Sequence, residues 1–457
     1  MKIKQFRLHN LGRFKLLEAP LAPTQQTTSN VTVLVGNNGA GKTSILRALA
    51  TSLSWFVARL RSEKGNGSPI PEEVIFHGAS SAAIDIAVFD ERGQSANPEA
   101  NEEDFFYQWT LTKTRKGNKG EHTSHLNDAS RLADYYRSAL SNNDKTSLPL
   151  IAFYPVERVV LDIPLKIKER HTFLQLDGYD NSLNQGVDFR RFFEWFRERE
   201  DTENESGISQ DMLNKLLEML GSEKNSVWEK LLALKASSRD RQLTAVRTAI
   251  ANFMPGFSNL RVRRKPRLHM SIDKDGETFN VLQLSQGEKS LMALVGDIAR
   301  RLAMMNPSLN NPLQGDGVVL IDEVDMHLHP SWQRSIIERL TNTFPNCQFV
   351  LTTHSPLVIS DCKDVLVYSL NSGELTLVPS QYGQDANSVL LNVMDTHIRN
   401  AEIAKKLNDL LDHIQDRRLS EARELLTELG RELPANHIEL AKAKLLLRKK
   451  ELRGEKD

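Results

Sequence analysis

Cysteine is nearly absent: the 457-residue chain has two, Cys347 and Cys362, too few for a disulfide framework or a cysteine-rich zinc site. Net charge is absent too. Lysine plus arginine and aspartate plus glutamate stand at 59 each, so no global field draws nucleic acid in, although a local basic patch still can. No run of about 18 apolar residues is present to span a bilayer, and the N-terminus lacks the basic-then-apolar pattern of a secretory signal. These absences lead to the expectation of a cytoplasmic protein with no membrane partner. No internal repeat recurs, and no heptad run is long enough for an extended coiled coil. What is there is 40% apolar and 26% charged residues, the balance of an ordinary soluble globular protein.

The segments alternate in character. MKIKQFRLHNLGRF and NVTVLVG read as strands, and TSILRALATSLSWFVARL reads as a helix with Ile45, Leu46, Leu49, Leu53 and Phe56 near one face. AIDIAVF, FYQWTLTK and LPLIAFYPVER are strand-like, whereas SEKGNGSPIP and RKGNKGEHTSHLNDAS read as surface loops. Long helical patterns follow in FRRFFEWFRERE and DMLNKLLEMLGS; strands return at NLRVRRKPRLHMSID, GVVLIDE, CQFVLTTHS and VLVYSL, with helices at GEKSLMALVGDIARRLAMM and after HPSWQ. The last stretch is helical again, with Ile403, Leu407, Leu410, Leu411 and Ile414 at helical spacing. The expected fold class is α/β: a mixed sheet with helices in lobes 1–188 and 256–391, a helical insert at 189–255 and a small helical tail at 392–457.

Two stretches carry chemistry directly. Gly36, Asn37, Asn38, Gly39, Ala40, Gly41, Lys42 and Thr43 fit G-x-x-x-x-G-K-[ST], with a strand before and a helix after. Such glycines turn backbone N–H groups around phosphate oxygens, and the helix N-terminus adds its positive dipole end. Lys42 is then expected on the β- and γ-phosphates of ATP and the Thr43 hydroxyl on Mg²⁺, with Ser44 completing the nucleotide-binding set. In GVVLIDEVD, the apolar residues Val318 to Ile321 deliver Asp322 and Glu323 at the carboxyl end of a strand, where ligands collect in open parallel sheets. Asp322 is placed to hold Mg²⁺ through water and Glu323 to polarise the attacking water.

The stretch LQLSQGEKS, containing Ser285, Gln286, Gly287 and Glu288 and opening a helix shortly before that acidic pair, resembles the signature motif of ABC-type ATPases in the variant typical of chromosome-maintenance and repair enzymes. FVLTTHSP resembles the segment that delivers their switch histidine, here His354. A serine–histidine hydrolytic pair with Ser355 fits poorly, because neighbours on a strand point to opposite faces. His327 and His329, in DMHLHPSWQ, have the H-x-H spacing of a metal site, but no cysteine or third histidine is nearby and the resemblance makes His329-Pro330 part of a recurring LHP element of the family. SLNQGVDFRRFF resembles the glutamine loop, which would make Gln185 a metal ligand beside Thr43 and Asp322.

The resemblance to an ABC-type P-loop ATPase head runs from Met1 to about Leu370. It implies a homodimer or higher homo-oligomer in which the Ser285–Glu288 segment of one copy meets the γ-phosphate held by Lys42 of the other. The long separation of Lys42 from Ser285 argues against a transporter subunit. AFYPVER, FFEWFRERE, LHPSWQ and the short tail resemble the PtuA family of ATPases from Septu-type anti-phage systems, some of them retron-associated. That resemblance implies an ATPase without a nuclease site of its own, working with a separate HNH nuclease of the PtuB kind. A DNA-repair or recombination ATPase is the alternative. The stretch Arg261 to Arg267 either contacts nucleic-acid phosphates or is a charged edge strand, and the tail either packs on the head or docks a partner.

Overall fold

The computed structural model describes residues 1–90, 105–119, 122–156, 173–184, 187–206, 239–396, 399–434 and 436–454. Contacts divide the chain into two units, Met1–Ala386 and Asn387–Asp457. In chain order the strands are β1 (Lys2–Leu11), β2 (Phe14–Pro20), β3 (Val31–Gly36), β4 (Ser81–Phe89), β5 (Phe106–Thr114), β6 (Leu150–Tyr154), β7 (Phe257–Arg263), β8 (His269–Lys274), β9 (Glu277–Asn280), β10 (Gly317–Ile321), β11 (Cys347–Thr352), β12 (Leu366–Asn371) and β13 (Glu374–Val378). The first unit's helices are α1 (Lys42–Arg61), α2 (Asn127–Asn142), α3 (Phe189–Ser206), α4 (Arg241–Phe253), α5 (Gln286–Met305), α6 (Pro330–Thr343) and α7 (Pro356–Ser360).

The runs VTVLV, GVVLI, CQFVLT and LIAFY are buried throughout, as expected of strands covered on both faces. They assemble with β12 and β13 into a six-stranded sheet of order β13-β12-β3-β11-β10-β6, parallel except for the antiparallel edge strand β13. Register does the functional work here. Ile321 lies opposite both Leu351 and Tyr154, and Leu351 opposite Val33, so β10 and β11 end within one residue of each other, β3 runs on beyond them to Gly36, and their following loops open on one edge. On α1 the expected residues Ile45, Leu46, Leu49, Leu53 and Phe56 are all fully buried. Burying each such side chain contributes roughly 1.5–3 kcal/mol, and this fixes the helix behind the phosphate loop.

Two antiparallel sheets flank this core, ordered β2-β1-β4-β5 and β7-β8-β9. The second feeds the signature segment: β9 ends at Asn280, one turn of 3-10 helix covers Val281–Gln283, and Ser285 caps α5. The structure also corrects the loop reading of RKGNKGEHTSHLNDAS, whose last residues open α2 and bury Ala129, with Leu132, Ala133 and Tyr136 continuing that face. The insert segment DMLNKLLEMLGS lies outside the described residues. Among the described residues, no helix is long and apolar enough to cross a membrane.

Helix α5 buries charge. Asp297, Arg300 and Arg301 are each at most 1% exposed. Arg300 Nη2 and Arg301 Nε both donate to the Asp297 carboxylate at 2.7 Å, and Tyr154 Oη donates to it at 3.0 Å. Burial pushes the Asp297 carboxyl up, but Arg301 and Arg300 outweigh it and hold the group below its ordinary value. Arg301 Nη1 reaches on to the Gly178 carbonyl at 2.6 Å. Removing the carboxylate leaves two guanidiniums without their shared counter-ion. Asp297→Ala is therefore expected to cost about 3–5 kcal/mol of stability in chemical denaturation, whereas Tyr154→Phe costs only about 1 kcal/mol for its single hydrogen bond.

The second unit is helical: α8 (Ala386–Asn392) leads to α9 (Ala401–Gln415), α10 (Leu419–Glu432) and α11 (Ile438–Gly454). Leu407, Leu410, Ile414, Ala422, Leu429, Leu440, Ala443 and Leu447 form its core. Leu411, expected on the apolar face, is 40% exposed instead. Arg399 clamps Glu439, and Lys406 Nζ bridges Glu428 and Glu432 at 2.8 and 2.9 Å.

Candidate nucleotide site

The loop between β3 and α1 makes its turn at Gly41, whose φ is +111°. A Cβ there would lie 2.5 Å from Phe14 Cζ, and Phe14 is itself buried. Lys42, the first residue of α1, folds its ammonium back over the loop and donates to the Gly36 and Asn37 carbonyls at 2.7 and 3.2 Å. Burial lowers the Lys42 pKa, opposed by the charges of Asp322, Glu323 and Asp325. Asn37 and Asn38 are exposed; with Ala40, Arg13, Asn371 and Ser372 they line a cavity of about 380 Å³ beside the loop. Ser44 sits in the first turn of α1 beside Gly12.

Across this sheet edge, Thr43 Oγ1 donates to Asp322 Oδ2 at 2.7 Å. Thr352 Oγ1 donates to Asp322 Oδ1 at 2.5 Å and accepts from the Glu323 N–H at 2.7 Å. One threonine at the end of β11 thus orients both acids at the end of β10. Glu323 has a φ of +46°, a left-handed backbone that costs a residue with a side chain on the order of 1–3 kcal/mol and collects at functional sites. His354 Nε2 stands 3.9 Å from Glu323 Oε1. Burial first, then the charge of Lys42, lowers the His354 pKa against the pull of the three nearby carboxylates. The shift favours the neutral imidazole, and at 3.9 Å the contact with Glu323 is longer than a hydrogen bond.

The hydroxyl of Thr43 facing the carboxylate of Asp322 is a hard-oxygen donor set suited to Mg²⁺, which takes one or two protein ligands and completes its shell with phosphate and water. Among the described residues no group of three or more His, Cys, Asp or Glu side chains could hold a metal, so His327 and His329 form no such cluster. Gln185 lies outside the described residues.

The signature segment stands apart from this cluster. Ser285 Oγ accepts from the Glu288 N–H at 3.4 Å and the Ser285 N–H donates to Glu288 Oε2 at 2.9 Å, a reciprocal capping box, with the Ser285 hydroxyl donating to the same oxygen at 2.8 Å. Lys274 Nζ from β8 donates to the other Glu288 oxygen at 2.8 Å. Burial pushes the Glu288 carboxyl up, yet Lys274 and Ser285 together keep it below its ordinary value. Gly287 is required by close approach, since a Cβ there would fall 2.3 Å from the His327 carbonyl oxygen. Ser285 and Gln286 are exposed, and the hydrogen bonds of Ser285 run to Glu288 rather than to Lys42, Thr43 or Asp322. The fold therefore brings Lys42, Thr43, Asp322, Glu323 and His354 together and presents Ser285 to solvent.

Thr352, Asp325 and Gln333 were not singled out by sequence reasoning. Thr352 orients the two acids, whereas Asp325 holds the histidine loop: Thr353 Oγ1 donates to Asp325 Oδ1 at 2.5 Å, and the His354 N–H points to the same oxygen at 3.4 Å. Only the parallel register of β10 and β11 reveals these partners.

Residues 31–360 match the family described as "AAA domain, putative AbiEii toxin, Type IV TA system". The chain is 33% identical to a protein named "Retron Vc95 probable ATPase" from Vibrio cholerae serotype O1 biovar El Tor, over 86% of this chain and 79% of that one. It is 36% identical to "Retron Ec83 probable ATPase" from Escherichia coli, over 82% of this chain and 73% of that one. A "Septu protein PtuA" from Bacillus mycoides (strain KBAB4) is 39% identical over a shorter stretch, 23% of this chain and 15% of that protein. The chain belongs to the AAA-domain family matched by residues 31–360, as an ABC-type member similar over most of its length to proteins named retron probable ATPases.

Proposed function

We propose that this chain binds and hydrolyses ATP as a homodimer, and that it is the ATPase subunit of an anti-phage defence complex controlling a separate HNH nuclease. The observation that carries the ATPase reading is the convergence of Lys42, Thr43, Asp322, Glu323 and His354 on one sheet edge. Lys42 leaves its loop carbonyls to meet the β- and γ-phosphates. Thr43 and Asp322 hold Mg²⁺, which when bound neutralises phosphate charge. The Glu323 carboxylate, oriented through its own N–H by Thr352, accepts a proton from the attacking water. Neutral His354 bonds a γ-phosphate oxygen, and Ser285 of a second copy closes the site from the other side.

The defence role is supported by the retron names of the long-matching relatives and the Septu name of the shorter one. The helical tail, 392–457, is the proposed docking element. Purification from the native operon, with mass spectrometry of what co-elutes, is expected to recover an HNH nuclease in stoichiometric amount. Recovering only the homodimer across several salt and nucleotide conditions would contradict the complex and favour the second reading, an ATPase acting on DNA. That reading rests on the exposed Arg261, Arg263, Lys265 and Arg267 of the β7–β8 hairpin.

A further inference from the structure

The segment LHPSWQ enters the structure at the start of α6 and has no part in the chemistry above. His329 caps the helix, accepting from the Ser331 N–H at 3.3 Å. Gln333, half-buried in the first turn, turns its side chain back toward the strand ends. Its Nε2 donates to the Leu328 carbonyl at 2.9 Å and lies 3.5 Å from the Asp325 carbonyl. Its Oε1 accepts from Ser355 Oγ at 2.7 Å. One amide therefore spans two loops, using its donor end on the loop that follows Glu323 and its acceptor end on the loop that carries His354.

We propose that Gln333 is a positioning residue that fixes His354 relative to Glu323 by tying these two loops together. This rests on the hydrolytic reading given above. Each loop carries its own turn: the Met326 N–H donates to the Glu323 carbonyl in the first, and the Val358 N–H to the Ser355 carbonyl in the second. The first contains two left-handed residues with side chains, Glu323 and His327, at φ of +46° and +62°. The second is a short link between β11 and the single-turn helix α7, capped by Ser355 through the Leu357 N–H at 3.2 Å. Gln333 joins that cap to the acidic loop. Asp325, contacting Thr353 and the His354 N–H, forms a parallel tie one step closer to the site. The chemistry of the bridge is specific to a side-chain amide. A carboxylate at position 333 would set negative oxygens against the Leu328 and Asp325 carbonyls, and an apolar chain of equal size would leave the Leu328 carbonyl and the Ser355 hydroxyl unmatched.

The test uses the full chain with Gln333→Met, which keeps the side-chain length and removes both hydrogen bonds. Small misplacement of a reacting group is costly, so kcat for ATP is expected to fall about 10- to 100-fold while the ATP dissociation constant stays within about twofold. Amide hydrogen exchange is expected to quicken over residues 353–358 and to remain unchanged in the body of α6. Ser355→Ala should reduce kcat similarly, and the double variant should be little worse than the poorer single one, since both remove one bridge. Wild-type kcat in Gln333→Met, or equal losses of kcat and ATP affinity, would overturn the proposal. If the wild-type protein binds ATP without turning it over, the hydrolytic reading fails instead. The exchange measurement then decides the tie alone: faster exchange over 353–358 sustains it, and unchanged exchange overturns it.

Discussion

Glu323→Gln is expected to lower ATP turnover by roughly 10²- to 10⁴-fold, the usual contribution of a positioned general base, while nucleotide binding survives. The amide has the shape of the carboxylate and leaves the backbone contact with Thr352 intact. It also keeps the side chain near His354. What it lacks is a basic oxygen able to take a proton from water at neutral pH. Binding should survive because Lys42, Thr43 and Asp322 are untouched, and their interactions with one another do not pass through the Glu323 side chain. Phosphate release under saturating ATP and nucleotide binding by calorimetry separate the two quantities. The variant is further expected to accumulate as an ATP-bound dimer in gel filtration, since the step that reopens the dimer is blocked. Turnover at the wild-type rate would remove Glu323 from its assigned role.

The phosphate loop was legible in sequence because its function is written in consecutive letters between a buried strand and a helix. The acidic pair was legible for a similar reason: four apolar residues announce a covered strand, and the acids mark where it ends. Thr352 was not. Its importance comes from lying beside Asp322 and Glu323 across two parallel strands, and register between distant segments has no local signature. Gln333 stood in a recognised segment, yet its letter alone does not say that its amide bridges two loops.

The scaffold shows the same division. Strands covered on both faces were visible as continuous apolar runs. Strand β13 and helix α2 were not among the expected elements: β13 is exposed or half-exposed throughout, so hydrophobic period gives little signal there. The adjacent arginines in GDIARRLAMM are both buried. The signal available was Asp297 placed three and four residues ahead of them, the spacing at which helix side chains meet.

The central claim is that each nucleotide site is completed by a second copy, and it is tested by mixing two defective chains. Lys42→Ala removes the ammonium proposed to engage the phosphates, which lies over the loop at the Gly36 carbonyl, and Ser285→Arg places a bulky side chain at the exposed cap of α5. Each variant alone should hydrolyse almost no ATP, because in either homodimer both sites carry the same defect. In a mixed dimer, the intact loop of the Ser285→Arg chain faces the intact signature segment of the Lys42→Ala chain, so one site is whole. Equal amounts, exchanged at random, should give about a quarter of wild-type activity, half of the dimers being mixed and each having one working site of two. Recovery near that level is the predicted result of the rate measurement on the mixture. A mixture as inactive as its components, or full activity in Ser285→Arg alone, would contradict a site shared between two copies.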